Sequence, residues 1–447
     1  MGKYHLIILK ILWAGKLMMA AATSQAQQQP VALLHRAHHA ITSVMVHDIF
    51  SPPVASRIYL YTSLAAYEAA SIGQPGMTSF SNAVSTFRPP KAPTTNAIQI
   101  DACYSAIYAM LATARRMVFS DSLMLDSMQA ILNAYPPLNS ITKQHSQHWA
   151  QTVSDSVMAW ASGDQYAQTR KMRRYSHGRQ PDNWLPTPPG YFAAVEPHWG
   201  KMRTVVISPL NLFAPPPPMS FGTDTSSAFY QQAYRVYSTS KSMTAEQKAI
   251  ASFWDCNPFH LTTQGHLNFA TKKLSPGGHW MSIAAIACNK TNANLFTATK
   301  AYLWTAIALY DGFISCWDEK FRSNLIRPET FINAHIDEAW RPLLQTPPFP
   351  EYTSGHSVIS AAAAEVLTVI FGDAFVFMDD TETPYGLPIR QFTSFRQAAE
   401  EAGLSRFYGG IHYMEAIVNG NLQGKRIGQA VVNALKTHEH RTVNTNN

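Results

Sequence analysis

The run from Asn292 to about Lys320 constrains this chain more than any other stretch. Leu295, Phe296, Ala301, Leu303, Trp304, Ile307, Ala308, Phe313 and Ile314 recur at helical spacing, and apolar residues fall nearly all round the cylinder. A helix without a polar face has to be surrounded by protein. The spacing therefore predicts a central buried helix that delivers Trp317 and Lys320 at its C-terminal end. Enough apolar material exists to surround it. Of 447 residues, 46% are hydrophobic and 14% charged, a globular composition with ample core.

The flanking sequence supplies further helices. Helical patterning runs over Val31 to Ile49, Ala55 to Ala70, Asn96–Phe119, Asp121–Ala134 and Thr142–Ser162. It returns at Thr244 to Cys256, Met281–Lys290, Val358–Phe371, Ser394–Gly403 and about Gln423 to Lys436. Thr244-Ala-Glu-Gln247 and Ser394-Phe-Arg-Gln397 both match a capping box. Gly, Pro, Ser and Thr mark a loop over 71–95, and residues 163–222 form a longer one ending in Pro215–Pro218. No strand alternation or separate core pattern borders that excursion, so it reads as an irregular wrap around a helical body. Internal repeats and convincing strand pairs are absent from the pattern. The expected fold is all-α, with long wrapping loops and one helical domain over 27–447, divided into an N-terminal half (about 30–240) and a second half (about 241–440).

Residues 6–22 are apolar behind a short basic start and lead to Ser24-Gln-Ala26, a small-x-small pattern followed by polar Gln27–Gln29. That is the form of a secretory signal over 1–26 cleaved after Ala26, which implies export. No other stretch approaches a spanning helix, so no membrane association is expected of the mature chain, and a monomer is favoured. The formal charge of +7 comes without a basic run, which fits small anions better than nucleic acid. Cys103, Cys256, Cys288 and Cys316 are far apart, without C-x-x-C spacing; they read as buried thiols and argue against a zinc site. His35, His38, His39 and His47 crowd one run, but no acidic partner accompanies them on one face, and a metal site there is not expected.

Three polar clusters interrupt the last third of the chain: Lys320 to Arg327-Pro328, Tyr352-Thr-Ser354-Gly355-His356, and Ser405-Arg406 to His412. Ser354 can cap the helix that follows, Gly355 lets backbone approach a ligand, and the first amides of that helix point at it. Arg327 and Arg406 each offer a planar fork to paired oxygens, and Lys320 adds a point charge. Pro328 is expected to end any helix there, leaving Arg327 on a loop. Together these groups suit a tetrahedral oxyanion. His412 can reach its central atom, and His356 is left for acid–base work, with an unperturbed pKa near ~6.5.

Each cluster alone is weak; their order is far more specific. It resembles the signature shared by vanadium-dependent haloperoxidases and the type 2 phosphatidic acid phosphatase superfamily. The long helical N-terminal half, including Ser51-Pro-Pro-Val-Ala-Ser-Arg57, is similar to the bacterial haloperoxidase branch. The resemblance implies an active site in a C-terminal four-helix bundle. It also implies vanadate held by Lys320, Arg327, Arg406, Ser354 and the Gly355 amide, with His412 as the ligand to vanadium and His356 assisting proton transfer. Hydrogen peroxide and halide would be the substrates, iodide or bromide in particular, with small organic acceptors for the oxidised halogen. Trp317 precedes Lys320 by one helical turn, an arrangement similar to the iodide-oxidising members, and Phe349 would border the same halide pocket. Phosphate fits the same grip, so a soluble acid phosphatase working through phospho-His412 is the alternative reading.

Two positions depart from the family pattern. Thr353 stands where Pro is common before Ser-Gly-His, and Ala416 stands where an acid commonly orients the last His. A ligand histidine needs such a partner. Glu415, a backbone carbonyl or a residue from elsewhere has to supply it.

Overall fold

The computed structural model describes residues 30–72, 76–93, 99–258, 260–264, 267–270 and 272–443. Residues 1–26, read above as a secretory signal, lie outside them. The described chain is predominantly helical. Helix α1 spans 30–47, and α2 (Pro52–Ala70), α3 (Ala102–Arg115), α4 (Asp121–Asn133), α5 (Ser140–Ala161) and the short α6 (Tyr166–Thr169) follow. After the long excursion come α7 (Ala228–Lys241), α8 (Ala245–Phe253), α9 (Pro276–Thr291) and α10 (Leu295–Ser323). The last group is α11 (Pro328–His335), α12 (Gly355–Phe371), α13 (Phe395–Tyr408) and α14 (Met414–Val443).

Helix α10 is the centre that its composition demands. Every residue from Ala301 to Trp317 is buried, and α10 packs on α2, α9, α12 and α14. One apolar cluster runs from Leu34 and Leu60 through Ile307 and Ile314 to Val358 and Val431, so the two halves of the chain share a core. In the C-terminal part, α12 touches α10, α13 and α14, forming a four-helix bundle. Gly424 and Gly428 on α14 explain how closely α12 and α14 approach. A Cβ would sit 2.0 Å from the Val358 carbonyl oxygen at the first and 2.6 Å from that of Ala362 at the second. Substitution at either would force the helices apart and displace the N-terminus of α12.

Several local expectations change. Two short antiparallel hairpins occur: β1 (Leu261–Gln264) with β2 (Leu267–Ala270), and β3 (Phe377–Asp379) with β4 (Arg390–Phe392), the latter paired Phe377 to Phe392. Runs of three and four residues are too short for alternation to register. Pro328 opens a helix rather than ending one: Arg327 is the extended N-cap residue of α11, and Pro occupies the first turn, where its missing N–H is no loss. The box at Thr244 forms with both arms. His38 is stacked between Tyr59 and Tyr302, with ring centroids 5.2 and 4.6 Å away, as a core aromatic. All four cysteines are unpaired thiols.

The long excursion is tied down, and its ties reach the bundle. Asp311, fully buried on α10, accepts the backbone N–H groups of Val205, Val206 and Ile207 at 2.8, 2.8 and 3.1 Å. Trp184 N–H donates to Asn324 and Ile326 N–H to Asp182, at 2.8 and 2.7 Å. The Val195 N–H donates to Pro348, and the Val195 carbonyl accepts from the Trp317 indole at 3.1 Å. The Tyr352 hydroxyl reaches the Pro216 carbonyl at 2.6 Å. No described helix is long and apolar enough to cross a membrane.

Candidate active site

Local structure brings the three clusters together. Lys320 leaves the last turns of α10 and Arg327 caps α11; Ser354, Gly355 and His356 open α12. Arg406 ends α13, and His412 lies in the turn between α13 and α14. The Ser354 side chain accepts the Ser357 N–H at 3.3 Å, the capping bond expected of it. Its own N–H donates to the Ala416 carbonyl at 3.1 Å, which joins the start of α12 to α14.

The cations are buried and mostly held by carbonyl oxygens. Lys320 donates to the carbonyls of Pro350 and Glu351, both at 2.9 Å. Arg327 donates through Nε to Phe349 (2.9 Å) and through Nη1 to Ile411 (2.8 Å), while its buried Nη2 has no partner among the described residues. Arg406 donates to the carbonyls of Trp254 (2.6 Å) and Asp255 (3.3 Å) and to the Ser405 hydroxyl (3.0 Å). Burial brings the Lys320 ammonium down to about 7 and the Arg327 guanidinium down to about 10.

His412 answers the question left by Ala416. Its Nδ1 lies 2.7 Å from Glu351 Oε1, which also accepts the Tyr413 N–H at 2.9 Å. Its Nε2 lies 3.0 Å from Arg327 Nη1. A guanidinium can only donate, so Nε2 carries the lone pair and Nδ1 the proton. Burial and the neighbouring Arg327, Lys320 and Arg406 charges push the ring well below the usual histidine range, consistent with the neutral form. Glu415 is not the orienting acid, since its carboxylate accepts the Met219 N–H at 3.1 Å. Glu351 was missed in the sequence, although it is the lone acid between Glu338 and Glu365 and stands three residues before Ser354.

His356 is also neutral. Burial and the Arg406 charge hold it well below the unperturbed value, while the Trp254 carbonyl accepts from the ring and Nε2 is buried without a partner. A cavity of ≈ 520 Å³, mouth included, opens over these groups. Gly355, His356, Arg406 and His412 form its polar end; Phe313, Trp317, Pro347, Phe349 and Ile411 form an apolar side. The Trp317 and Phe349 rings meet at 4.8 Å, and the Phe349 face lies 5.2 Å from Lys320 Nζ and 5.1 Å from Arg327 Cζ. A Cβ on Gly355 would meet nothing nearer than Trp317 at 3.6 Å, so glycine there keeps cavity space open at the helix N-terminus. The segment Trp254–Pro258, absent from the sequence reading of the site, contributes Asp255, Cys256, Asn257 and Pro258 to the wall.

The donor set fits a compact oxyanion. It combines three cations, an open helix N-terminus, one guanidinium nitrogen without a partner and one imidazole lone pair beside the Arg327 guanidinium. Residues 300–441 match the family described as the VCPO second helical-bundle domain. Over most of its length, the chain is similar to a bacterial vanadium-dependent iodoperoxidase of known structure. Identity is 44%, covering 90% of this chain and 96% of that one, with a TM-score of 0.84. Two structures of bacterial vanadium-dependent chloroperoxidase, holo and apo, share the fold at 15% identity, each with a TM-score of 0.62. They cover 88% and 87% of this chain and 95% of theirs. No curated protein matches.

Proposed function

Because the chain belongs to the vanadium-dependent haloperoxidase family, we propose that it oxidises iodide or bromide with hydrogen peroxide and passes the oxidised halogen to small organic acceptors. Halide, peroxide and one proton give hypohalous acid and water. Bound vanadate supplies a redox-constant Lewis acid that polarises the peroxide for halide attack. Lys320, Arg327 and Arg406 would neutralise the oxyanion charge, and the Ser354 hydroxyl and Gly355 N–H would bind its remaining oxygens. His412 would bind through Nε2, exchanging its contact with Arg327 for the ligand. His356 Nε2, neutral and unpartnered, would take a proton at the cavity and return it to the leaving oxygen.

The observation that carries this reading is the orientation of His412, with the Nε2 lone pair toward Arg327 and a carboxylate behind Nδ1. Trp317 and Phe349 support a halide pocket beside the cations, since both line the cavity and a large polarisable anion suits an aromatic wall next to positive charge. Phosphate shares the tetrahedral grip and would compete with vanadate. Export through residues 1–26 and a monomeric state belong to the same proposal, read by intact mass of secreted protein and by light scattering.

Metal-free protein should gain triiodide formation on addition of vanadate, and His412→Ala should abolish it. Phosphate-ester hydrolysis inhibited by vanadate, with no halide oxidation, would instead identify the phosphatase chemistry of the same superfamily.

A further inference from the structure

Behind the cavity wall, the geometry points to a second metal site, for a zinc-type divalent ion, formed by Cys256, His279 and Glu382. Sequence spacing hides it, because the three residues come from separate elements. Cys256 follows α8, His279 lies in the first turns of α9, and Glu382 lies in the turn after β3. All three are buried, at 3%, 0% and 3% exposure.

The distances have the form of a coordination polyhedron. Cys256 Sγ lies 3.5 Å from His279 Nδ1 and 3.5 Å from Glu382 Oε1, and His279 Nδ1 lies 3.1 Å from Glu382 Oε1. With bond lengths of about 2.3 Å to sulfur and about 2.0–2.2 Å to nitrogen and oxygen, tetrahedral edges come to about 3.5–3.7 Å from sulfur and about 3.3–3.5 Å between nitrogen and oxygen. The two sulfur edges match to about 0.2 Å, and the nitrogen–oxygen edge is shorter by about 0.2–0.4 Å. Thiolate, imidazole and carboxylate together suit zinc better than magnesium or calcium. Three protein donors leave a fourth position for water.

The support around the histidine is that of a ligand. His279 Nε2 lies 2.8 Å from Asp379 Oδ2, and Asp379 is itself fixed by the Thr381 N–H at 3.0 Å. If Nε2–H donates to Asp379, then Nδ1 presents its lone pair to Glu382 and Cys256. The Trp254 indole stacks on the ring at 4.4 Å, and Phe253 meets it edge-on at 5.4 Å, so it cannot swing away. A lone pair and a carboxylate oxygen 3.1 Å apart need something positive between them. It is either a proton, carried by the imidazole, the carboxyl or the Cys256 thiol, or a metal ion that takes all three side chains as donors.

The consequence reaches the active site. The Trp254 carbonyl accepts from both Arg406 and His356, and Cys256 itself lines the cavity. A metal on Cys256 and His279 would therefore brace the wall against which these two groups are set.

The test uses the full-length protein without vanadate. It is stripped with a chelator, then titrated with Zn2+ and separately with Co2+, and read by metal content and near-UV absorbance. The expected result is one ion per chain and a thiolate-to-cobalt charge-transfer band, both lost in Cys256→Ser. Asp379→Asn keeps the band and weakens zinc binding by about 10–100-fold. Wild-type protein that takes up no more metal than Cys256→Ser and shows no band overturns the proposal and leaves an imidazolium–carboxylate pair. Should Cys256→Ser fail to fold, alkylation of Cys256 in the wild type decides: protection by Zn2+ supports the site, and equal rates with and without Zn2+ refute it.

Discussion

Glu351→Gln separates the charge behind His412 from its shape. The glutamine oxygen can keep both contacts that Glu351 Oε1 makes, to His412 Nδ1 at 2.7 Å and to the Tyr413 N–H at 2.9 Å. Burial pushes the Glu351 carboxyl up to about 7, so above that pH the variant loses a negative charge that makes the imidazole a better donor. Removing such a partner weakens a metal site by about 10–100-fold, or about 1.4–2.7 kcal/mol at 1.36 kcal/mol per tenfold. Glu351→Ala should do more harm. It leaves two buried N–H groups without an acceptor, at about 1–3 kcal/mol each, and lets the ring rotate. The assay is equilibrium binding of vanadate to metal-free protein, with urea unfolding of the same samples. The expected order of affinity is wild type, then Gln, then Ala, with global stability falling clearly only for Ala. Glu415→Gln is the control and should bind vanadate as wild type does, because Glu415 serves the Met219 N–H. Wild-type affinity in Glu351→Gln together with weakened binding in Glu415→Gln would refute the assignment.

Vanadate affinity should also depend on pH through Lys320, which burial holds at about 7 in the empty site. Binding draws on the charged ammonium, so above pH 7 the protein must first take up a proton, and affinity should fall by up to about tenfold per pH unit; below 7 this group contributes no slope. Dialysis between pH 6 and 9 checks both limbs. Trp317→Phe removes the indole donor to Val195 and should cost about 1 kcal/mol of stability while raising the halide KM and leaving vanadate affinity unchanged, read by steady-state rates with iodide and bromide. Asp311→Asn keeps one acceptor oxygen, which can still serve Val206 and Ile207, but places an amide donor against the Val205 N–H, and should cost about 1–3 kcal/mol by urea unfolding through loosening of the 205–207 segment. Vanadate at a hundred times its Kd should stabilise wild-type protein by about 2.7 kcal/mol, with added phosphate reducing the effect by competition.

The parts of the structure that were legible in the sequence are those in which local pattern and function coincide. Helix α10 announces itself because a helix apolar on every face has one possible environment. Lys320, Arg327, Ser354, Gly355, His356, Arg406 and His412 follow from the order of their motifs; Gly355, His356, Arg406 and His412 line one cavity, while Arg327 contacts His412, Lys320 holds the Glu351 backbone and Ser354 caps α12 behind that lining. Glu351 was illegible because orientation of a histidine is a through-space relation. Its partner His412 is 61 residues away, whereas the expected position, Ala416, contributes a backbone carbonyl to Ser354 instead. The Cys256, His279 and Glu382 triangle was illegible for the same reason, and the cysteine spacing pointed away from it. Helices α7 and α11 were missed because their aromatic and polar residues blur the apolar face, and α11 begins with a proline read as a terminator.

The distribution of partners around the cations explains how a site can remain ready for an anion. Lys320, Arg327 and Arg406 are 0%, 0% and 2% exposed, and charges so deep are expensive unless paired. Carboxylates beside them would give a more stable empty protein and a neutral site. The chain uses carbonyl dipoles instead, those of Phe349, Pro350, Glu351, Ile411, Trp254 and Asp255. These fix the donors in position without cancelling their charge. The carboxylates that do stand close are engaged elsewhere: Asp255 pairs with Lys273 and Glu319 with Arg322, while Glu351 has its hydrogen-bonding oxygen turned to His412 and the Tyr413 N–H and so tunes the ligand. Most of the positive charge is thus left for an incoming oxyanion to neutralise, with geometry already set and little reorganisation required.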